Sequence, residues 1–297
     1  MTRLAEALRR AEHIADDVTA DDQHTRRPLV ASARGQSSSD AEVVEVDRDK
    51  PLGVFHGYGE IAAGKLVVMP SVPHAAVEQY RRLAASLHHT KLQKDTKVVM
   101  LTSASPGEGK TLTSVNLALT LSESYRRNVL LIDADLRRPN VHHLFQLPNV
   151  MGLSDGLKSD TEEKLSLIQV SEYLTVLPAG RPDNDPMSGL TSDRMRRILE
   201  QAAARYDWVL IDTPPVGFLS DANLLVAMVD VAIFVVRAGK SPYRLIQRAL
   251  DAVGRNRILG VVLNAVGENV DVAGYNYYGY YGTPRPTEKR SKGRARE

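Results

Sequence analysis

The segment Ala104-Ser105-Pro106-Gly107-Glu108-Gly109-Lys110-Thr111 decides the fold. An apolar run at 98–101 precedes it and a helical pattern at 112–122 follows it, so it has the spacing and setting of a phosphate-binding loop, with Ala104 in place of the usual first glycine. Gly107 and Gly109 allow backbone N–H groups to turn toward a polyphosphate, and the next helix presents its positive N-terminal end. The predicted nucleotide-binding residues are Ser105, Pro106, Gly107, Glu108, Gly109, Lys110, Thr111 and Leu112.

Two side chains of this loop carry predicted chemistry. Lys110 is predicted to reach the β- and γ-phosphates as a point charge, and Thr111 to give its hydroxyl oxygen to Mg²⁺. The alternative is a chance Gly-Lys-Thr in a solvated turn, and the strand before it and the helix after it argue against that. The sequence therefore predicts ATP and Mg²⁺ as the cofactors.

Two more apolar runs, at 129–132 and 208–211, end in acids: Asp133 and Asp135 after the first, Asp212 after the second. In open α/β sheets ligands bind at the carboxyl ends of strands, so these acids are expected to face the phosphates. Asp212 has the form of a Walker-B acid, which binds Mg²⁺ directly or through water. One of Asp133 and Asp135 could hold magnesium while the other accepts a proton, and the alternative is that they cap the next helix.

The pattern along the whole chain is typical of an α/β protein. Near-continuous apolar runs alternate with helical stretches, which predicts a mostly parallel central sheet flanked by helices; the runs are 98–101, 129–132, 174–177, 208–211, 231–236 and 259–263. The predicted organisation has four parts: a short N-terminal helix at 1–17, a polar flexible linker at 18–74, a P-loop domain at 75–270, and a tyrosine-rich and basic tail at 271–297.

Composition and charge exclude several function classes. The 297 residues carry a formal net charge of +2, so no overall field indicates nucleic acid as a partner. Cysteine is absent, which excludes disulfides, thiolate metal sites and cysteine nucleophiles. The longest apolar stretch, at 229–236, is broken by Asp230 and is far shorter than the ~20 residues of a membrane span. We therefore expect a cytoplasmic location.

The three motifs together resemble those of the bacterial tyrosine kinases, P-loop proteins related to the cell-division and partition ATPases. The resemblance runs from about Gln79 to Tyr281 and includes the stretches 152–155, 220–222 and 235–239. Ser105 stands where the partition ATPases carry a signature lysine, which favours the tyrosine-kinase branch. The resemblance implies a P-loop NTPase fold of the deviant-Walker, partition-ATPase-like type, and an ATP-dependent protein-tyrosine autokinase.

The resemblance also implies residue roles and a biological setting. The implied catalytic residues are Lys110, Asp133 and Asp135, with Asp133 as the base for the tyrosine hydroxyl; the implied magnesium ligands are Thr111, Asp135 and Asp212. Members of the family act in capsule or exopolysaccharide polymerisation and export. Some carry a fused membrane region and others pair with a separate membrane protein. For this chain the implied partners are a membrane-anchored activator of the co-polymerase type, which keeps it at the inner membrane, and a cognate tyrosine phosphatase.

The C-terminal tail supplies the acceptors that such a kinase requires. Five tyrosines occur close together on a glycine-containing segment without a core-forming pattern: Tyr275, Tyr277, Tyr278, Tyr280 and Tyr281. We expect a neighbouring subunit to phosphorylate them, and the charge of about −2 on each phosphotyrosine to release the tail. The alternatives are a low-complexity end and a stacking surface for another ligand.

The family closes rings of subunits with a Glu-x-x-Arg-x-x-Arg helix. This chain has Glu78 and Arg81, which we assign to oligomerisation, but Ala84 at the third position. A salt bridge within one helix explains Glu78 and Arg81 equally well.

Two other functions are compatible with the motifs. One is a partition-type ATPase whose nucleotide state switches dimerisation, and the other is a non-catalytic ATP-binding regulator of a membrane polysaccharide transporter. Phosphotyrosine in 275–281 distinguishes a kinase from both.

Overall fold

A seven-stranded sheet forms the centre of the structure, a computed structural model that describes residues 57–59, 64–158, 165–216 and 225–266. Its strands are β1 (Val98–Ser103), β2 (Val129–Asp133), β3 (Ile168–Gln169), β4 (Leu174–Leu177), β5 (Trp208–Asp212), β6 (Val231–Arg237) and β7 (Ile258–Asn264). They lie in the order β3-β4-β2-β5-β1-β6-β7, and every neighbouring pair is parallel except β3 with β4. The predicted α/β fold with a mostly parallel sheet is confirmed.

Helices cover both faces of this sheet. They are α1 (His74–Lys94), α2 (Lys110–Leu119), α3 (Val141–Phe145), α4 (Leu153–Lys158), α5 (Met187–Leu190), α6 (Asp193–Arg205) and α7 (Tyr243–Val253). A π-helical turn, Thr120–Ser124, continues α2, and 3-10 turns lie at Val226–Met228 and Arg255–Arg257. None of the helices in the described ranges has the length and apolarity that crossing a bilayer requires.

Each face of the sheet has its own apolar core. Ile198 of α6 and Ala249 of α7 belong to one core, and Leu87 of α1 and Leu117 of α2 belong to the other. The central strands β1, β2 and β5 are buried along their whole length, because helices lie above and below them. This two-sided burial explains why these strands have continuous rather than alternating apolar sequences.

Two details of the fold differ from the sequence pattern. The antiparallel strand β3 has only two residues, too few to show any alternation, and it was not predicted. Helix α2 begins at Lys110 and not at 112, because Gly109, with a φ of 94°, turns the backbone directly into the helix. The phosphate loop therefore meets the N-terminal end of α2 without an intervening segment.

Residues 64–73, the last part of the predicted linker, pack against the domain. Leu66 is fully buried, and the Asn116 side chain on α2 accepts a hydrogen bond from the Val67 N–H (2.9 Å) and donates one to the Lys65 carbonyl (2.9 Å). The apolar run from Leu66 to Met69 accounts for this packing, since its exposure to water would be unfavourable. The flexible linker predicted at 18–74 therefore does not extend through 64–73. The predicted helix at 1–17 and the tail at 271–297 lie outside the described residues.

Candidate functional site

The phosphate loop connects the end of β1 to the start of α2. Gly107 and Gly109 have φ angles of 77° and 94°, a left-handed conformation that favours glycine. Because Lys110 is the first residue of α2, the positive end of a ten-residue helix lies at the loop. The predicted loop thus has a backbone conformation suited to binding a phosphate group.

Three carboxylates lie together beside this loop. Asp133 at the end of β2 is the direct register partner of Asp212 at the end of β5, so these two acids are neighbours in the sheet. Both are fully buried, and Asp135 is 6% exposed. Lys110 completes the group, since its Nζ lies 3.1 Å from Asp135 Oδ2. The structure therefore brings together the lysine and the three acids that the sequence predicted.

The carboxylates keep Lys110 in its charged form. Burial lowers the pKa of Lys110, but the charges of the three aspartates outweigh this effect and raise the pKa above its usual value. Lys110 is thus a partly buried cation, with 13% of its side chain exposed, held by an ion pair with Asp135. A phosphate group that enters the loop can take over the role of Asp135 as its counter-ion.

Asp212 has one oxygen that no described group satisfies. Its Oδ1 accepts a hydrogen bond from Ser114 Oγ (3.0 Å), whereas Oδ2 is buried and has no hydrogen-bond partner in the described part of the chain. Burial raises the pKa of Asp212, and the charge of Lys110 and the nearby Thr111 hydroxyl oppose this rise. An orphaned carboxylate oxygen close to a threonine hydroxyl fits a magnesium ion.

The arrangement matches the way that Mg²⁺ is usually bound. Within the described ranges, no three His, Asp or Glu side chains form a complete metal cage. Mg²⁺ generally takes one or two protein carboxylates and completes its shell with water and substrate phosphates. Thr111 and Asp212, with Asp135 once it parts from Lys110, would form such a partial set.

Asp133 anchors the start of α3. Its Oδ2 accepts hydrogen bonds from the N–H groups of Asn140 and Val141, both at 3.0 Å, and its Oδ1 accepts one from the Asp135 N–H at 3.2 Å. Helix capping, one of the two interpretations of this acid, is therefore present in the structure, and its role as a base stays a prediction. Burial, and then the charge of Asp212, raise the pKa of Asp133 to about 8 in spite of these hydrogen bonds.

Comparison with known proteins decides the family. Residues 99–276 match the model of the CobQ/CobB/MinD/ParA nucleotide binding domain. The chain is 35% identical over 209 residues to tyrosine-protein kinase YwqD of Bacillus subtilis, covering 69% of this chain and 86% of YwqD. The chain belongs to the bacterial tyrosine kinase family. With tyrosine-protein kinase Etk of Escherichia coli the identity is 37% over 211 residues, covering 68% of this chain and 28% of the longer Etk.

Comparison with solved structures agrees with this assignment. The kinase domain of Escherichia coli tyrosine kinase ETK matches with a TM-score of 0.62 at 34% identity, covering 67% of this chain and 78% of that domain. The chimerical protein CapA2B2 matches with a TM-score of 0.63 at 26% identity, covering 74% of this chain and 95% of that protein. By family the chain is a protein-tyrosine kinase built on a nucleotide-binding P-loop domain.

Several residues at the kinase site lack a clear sequence signal. Arg237 Nη1 donates to the Gly107 carbonyl (3.2 Å), Asn264 Nδ2 donates to the Glu108 carbonyl (2.9 Å), and the Ser241 hydroxyl donates to the Glu108 carboxylate. These residues reach the loop because β6 lies next to β1 and β7 next to β6. Ser114, which donates to Asp212, is likewise an ordinary helix residue in the sequence. Only Arg237 falls in a stretch, 235–239, that the family resemblance includes.

The predicted oligomerisation residues are paired within one chain. Arg81 Nη1 lies 2.6 Å from Glu78 Oε1 on an exposed part of α1. Ala84, at the third position of the family motif, is fully buried. That position lies in the core and cannot present a side chain to a neighbouring subunit. The role of Glu78 and Arg81 between subunits stays a prediction.

The predicted tyrosine acceptors belong to the C-terminal tail. They lie outside the described residues, as does the stretch 220–222 of the family resemblance; the acceptors are Tyr275, Tyr277, Tyr278, Tyr280 and Tyr281.

Proposed function

We propose that this kinase transfers the γ-phosphoryl group of Mg-ATP to the tyrosines at 275–281 of a neighbouring copy of the same chain. The observation that carries the proposal is the position of Lys110. It lies in the phosphate loop at the first residue of α2, and its Nζ is 3.1 Å from Asp135 Oδ2 within a group of three buried acids. Desolvation of three buried carboxylates is unfavourable, and beside the loop they supply both metal ligands and a candidate proton acceptor.

Phosphoryl transfer here depends on positioning and charge neutralisation. Lys110 and the N-terminal end of α2 bind the β- and γ-phosphates, while Thr111 and Asp212, with Asp135 once it parts from Lys110, would hold the metal. A magnesium ion held by these residues would supply neutralisation of the charge on the phosphate oxygens. The tyrosine oxygen forms a bond to the γ-phosphorus as the bond to the bridging oxygen of ADP breaks. The phenolic proton passes to a carboxylate, which we assign to Asp133.

The proposed base has a testable pH dependence. Asp133 must lose its own proton before it can accept one, and kcat/KM reports ionisation in the free enzyme. Since its pKa in the free, metal-free enzyme is raised to about 8, we expect kcat/KM for Mg-ATP in tyrosine phosphorylation to rise with pH and to level off above about pH 8. Initial rates at fixed Mg²⁺ from about pH 6 to about pH 9 test this expectation. A profile that is already flat at its lower end would exclude Asp133 as a base with a raised pKa.

The length of the tail supports phosphorylation between subunits. From Val266, the last described residue, the chain to Tyr275 can span at most about 30 Å. This length is comparable to the diameter of a small domain, so the tyrosines can reach beyond their own kinase domain. As the phosphates accumulate, mutual repulsion between them favours release of the tail from the acidic site.

The proposed setting follows from the family. We place the kinase in the cytoplasm, peripheral to the inner membrane through a membrane-anchored activator, with a cognate tyrosine phosphatase that resets the tail. Its proposed process is polymerisation and export of capsule or exopolysaccharide. The support for this setting is the family resemblance to kinases such as Etk.

Mass spectrometry of the tail tests the proposed activity. After incubation with ATP and Mg²⁺, we expect phosphotyrosine within 275–281 of the parent chain. The variant with phenylalanine at all five tail tyrosines should lack it. Tyr243→Phe is the control and should behave like the parent, because Tyr243 is an exposed tyrosine (71%) that lies on α7 and not in the tail. Absence of phosphotyrosine from the parent tail would favour a partition-type ATPase or a non-catalytic regulator.

A further inference from the structure

Glu108 places a carboxylate inside a loop that binds anions. Its side chain adds negative charge close to the phosphate site, which by itself disfavours a polyphosphate. Nevertheless Glu108 is only 3% exposed. A buried charge is retained in a protein when its hydrogen bonds are well satisfied, so its partners indicate what it does.

The Glu108 carboxylate connects two separate segments of the chain. Its Oε2 accepts a hydrogen bond from the Ser105 N–H at 2.9 Å, which closes the first turn of the phosphate loop. Its Oε1 accepts a hydrogen bond from the hydroxyl of Ser241, in the turn that follows β6. Ser105 is one of the predicted nucleotide-binding residues, and its N–H is thus already used within the loop.

The turn after β6 is itself held in a defined shape. The Arg237 N–H donates to Ser241 Oγ at 3.2 Å, and the Ser241 N–H donates back to the Arg237 carbonyl at 3.3 Å. From the same turn, Arg237 Nη1 donates to the Gly107 carbonyl at 3.2 Å. The phosphate loop is therefore fixed to β6 at two consecutive residues, Gly107 through its backbone and Glu108 through its side chain.

We propose that Glu108 is a positioning residue for phosphoryl transfer. Its carboxylate fixes the glycine-containing loop in the conformation in which the loop N–H groups point toward the phosphates. Without this connection, Gly107 and Gly109 would sample other conformations, and nucleotide binding would have to restrict them. The inference rests on the proposed function, because it concerns the same site.

Nucleotide affinity of two Glu108 variants tests the proposal. We expect Glu108→Ala to weaken binding of a fluorescent ADP analogue by about tenfold or more, the effect of losing hydrogen bonds to a charged group. Glu108→Gln keeps an acceptor for the Ser105 N–H and a polar contact to Ser241, and it removes a negative charge. It should therefore restore the affinity to within a factor of about 3 of the parent. Glu200→Ala, on the exposed side of α6, is the matched control and should bind like the parent.

A double-mutant cycle with Ser241→Ala tests the connection itself. If Glu108 acts through Ser241, the double variant should bind the analogue no more weakly than Glu108→Ala alone, because the second change removes a contact already lost. The thermal midpoint of each nucleotide-free variant separates positioning from stability. A merely structural role would lower Tm and leave the affinity of the folded protein unchanged.

Three results would overturn the inference: parent-like affinity in Glu108→Ala, weak binding in Glu108→Gln, or fully additive effects in the cycle. None of these measurements requires tyrosine phosphorylation. A parent chain that binds the ADP analogue but produces no phosphotyrosine would contradict the proposed function and leave the positioning role of Glu108 intact.

Discussion

Replacement of Lys110 by methionine should lower the rate of tyrosine phosphorylation by about a thousandfold, equivalent to about 4 kcal/mol of transition-state stabilisation. Lys110 is the cation at the phosphate loop that the three buried acids keep charged, and its Nζ is 3.1 Å from Asp135. Methionine fills a similar volume without the charge, so the γ-phosphoryl group would lose its principal cationic contact from the protein. The readout is the initial rate of phosphotyrosine formation at saturating Mg-ATP.

Lys240→Met is the matched control for this experiment. Lys240 is an exposed residue in the turn after β6, and no ion pair involves it in the described part of the structure. The control removes the same charge from the same protein and should keep the parent rate. Equal losses in both variants would mean that overall charge, and not the contact of Lys110, controls the reaction.

Alanine at Gly109 should have the second large effect. A Cβ at this position would lie 1.9 Å from Asn264 Nδ2, so Asn264 would have to give up its hydrogen bond to the Glu108 carbonyl. The φ of 94° is also unfavourable for alanine by about 1–2 kcal/mol. With the lost hydrogen bond the sum is about 2–3 kcal/mol, and we expect nucleotide affinity to fall by about 30- to 150-fold.

Gly107→Ala separates the backbone strain of a positive φ from the clash with Asn264. Gly107 also has a positive φ, 77°, but a Cβ built there meets no atom within 4 Å. It therefore carries the backbone strain without the clash, and its affinity should fall by about tenfold. If titration with the fluorescent ADP analogue gave the same loss for both variants, contact with Asn264 would have no part in shaping the loop.

The parts of the fold that could be predicted are those with local signals. The glycine spacing of the loop can be recognised from adjacent residues, and so can the apolar runs that end in Asp133 and Asp212. These runs, alternating with helical stretches, predict the parallel sheet. Register then brings the two acids side by side. The packing of 64–73 does not follow from the sequence, because the polar composition of 20–50 is typical of a linker and the apolar run from Leu66 to Met69 has only four residues.

The contacts that complete the site depend on strand order. Ser241 and Asn264 lie more than a hundred residues after Glu108 and contact it only because β6 and β7 follow β1 in the sheet. The role of Asp133 cannot be read from the sequence for a different reason. A carboxylate at a strand end can cap the next helix and also face the substrate, and the sequence is the same in both cases.

Phosphorylation between two complementary variants tests the central claim most directly. One variant is Lys110→Met with an intact tail, and the other has an intact site with phenylalanine at all five tail tyrosines. After incubation with Mg-ATP, mass spectrometry should find phosphotyrosine at 275–281 of the Lys110→Met chain in the mixture, and none when either variant is incubated alone. Phosphotyrosine on the Lys110→Met tail without its partner, or an unmodified tail in the mixture, would contradict the account.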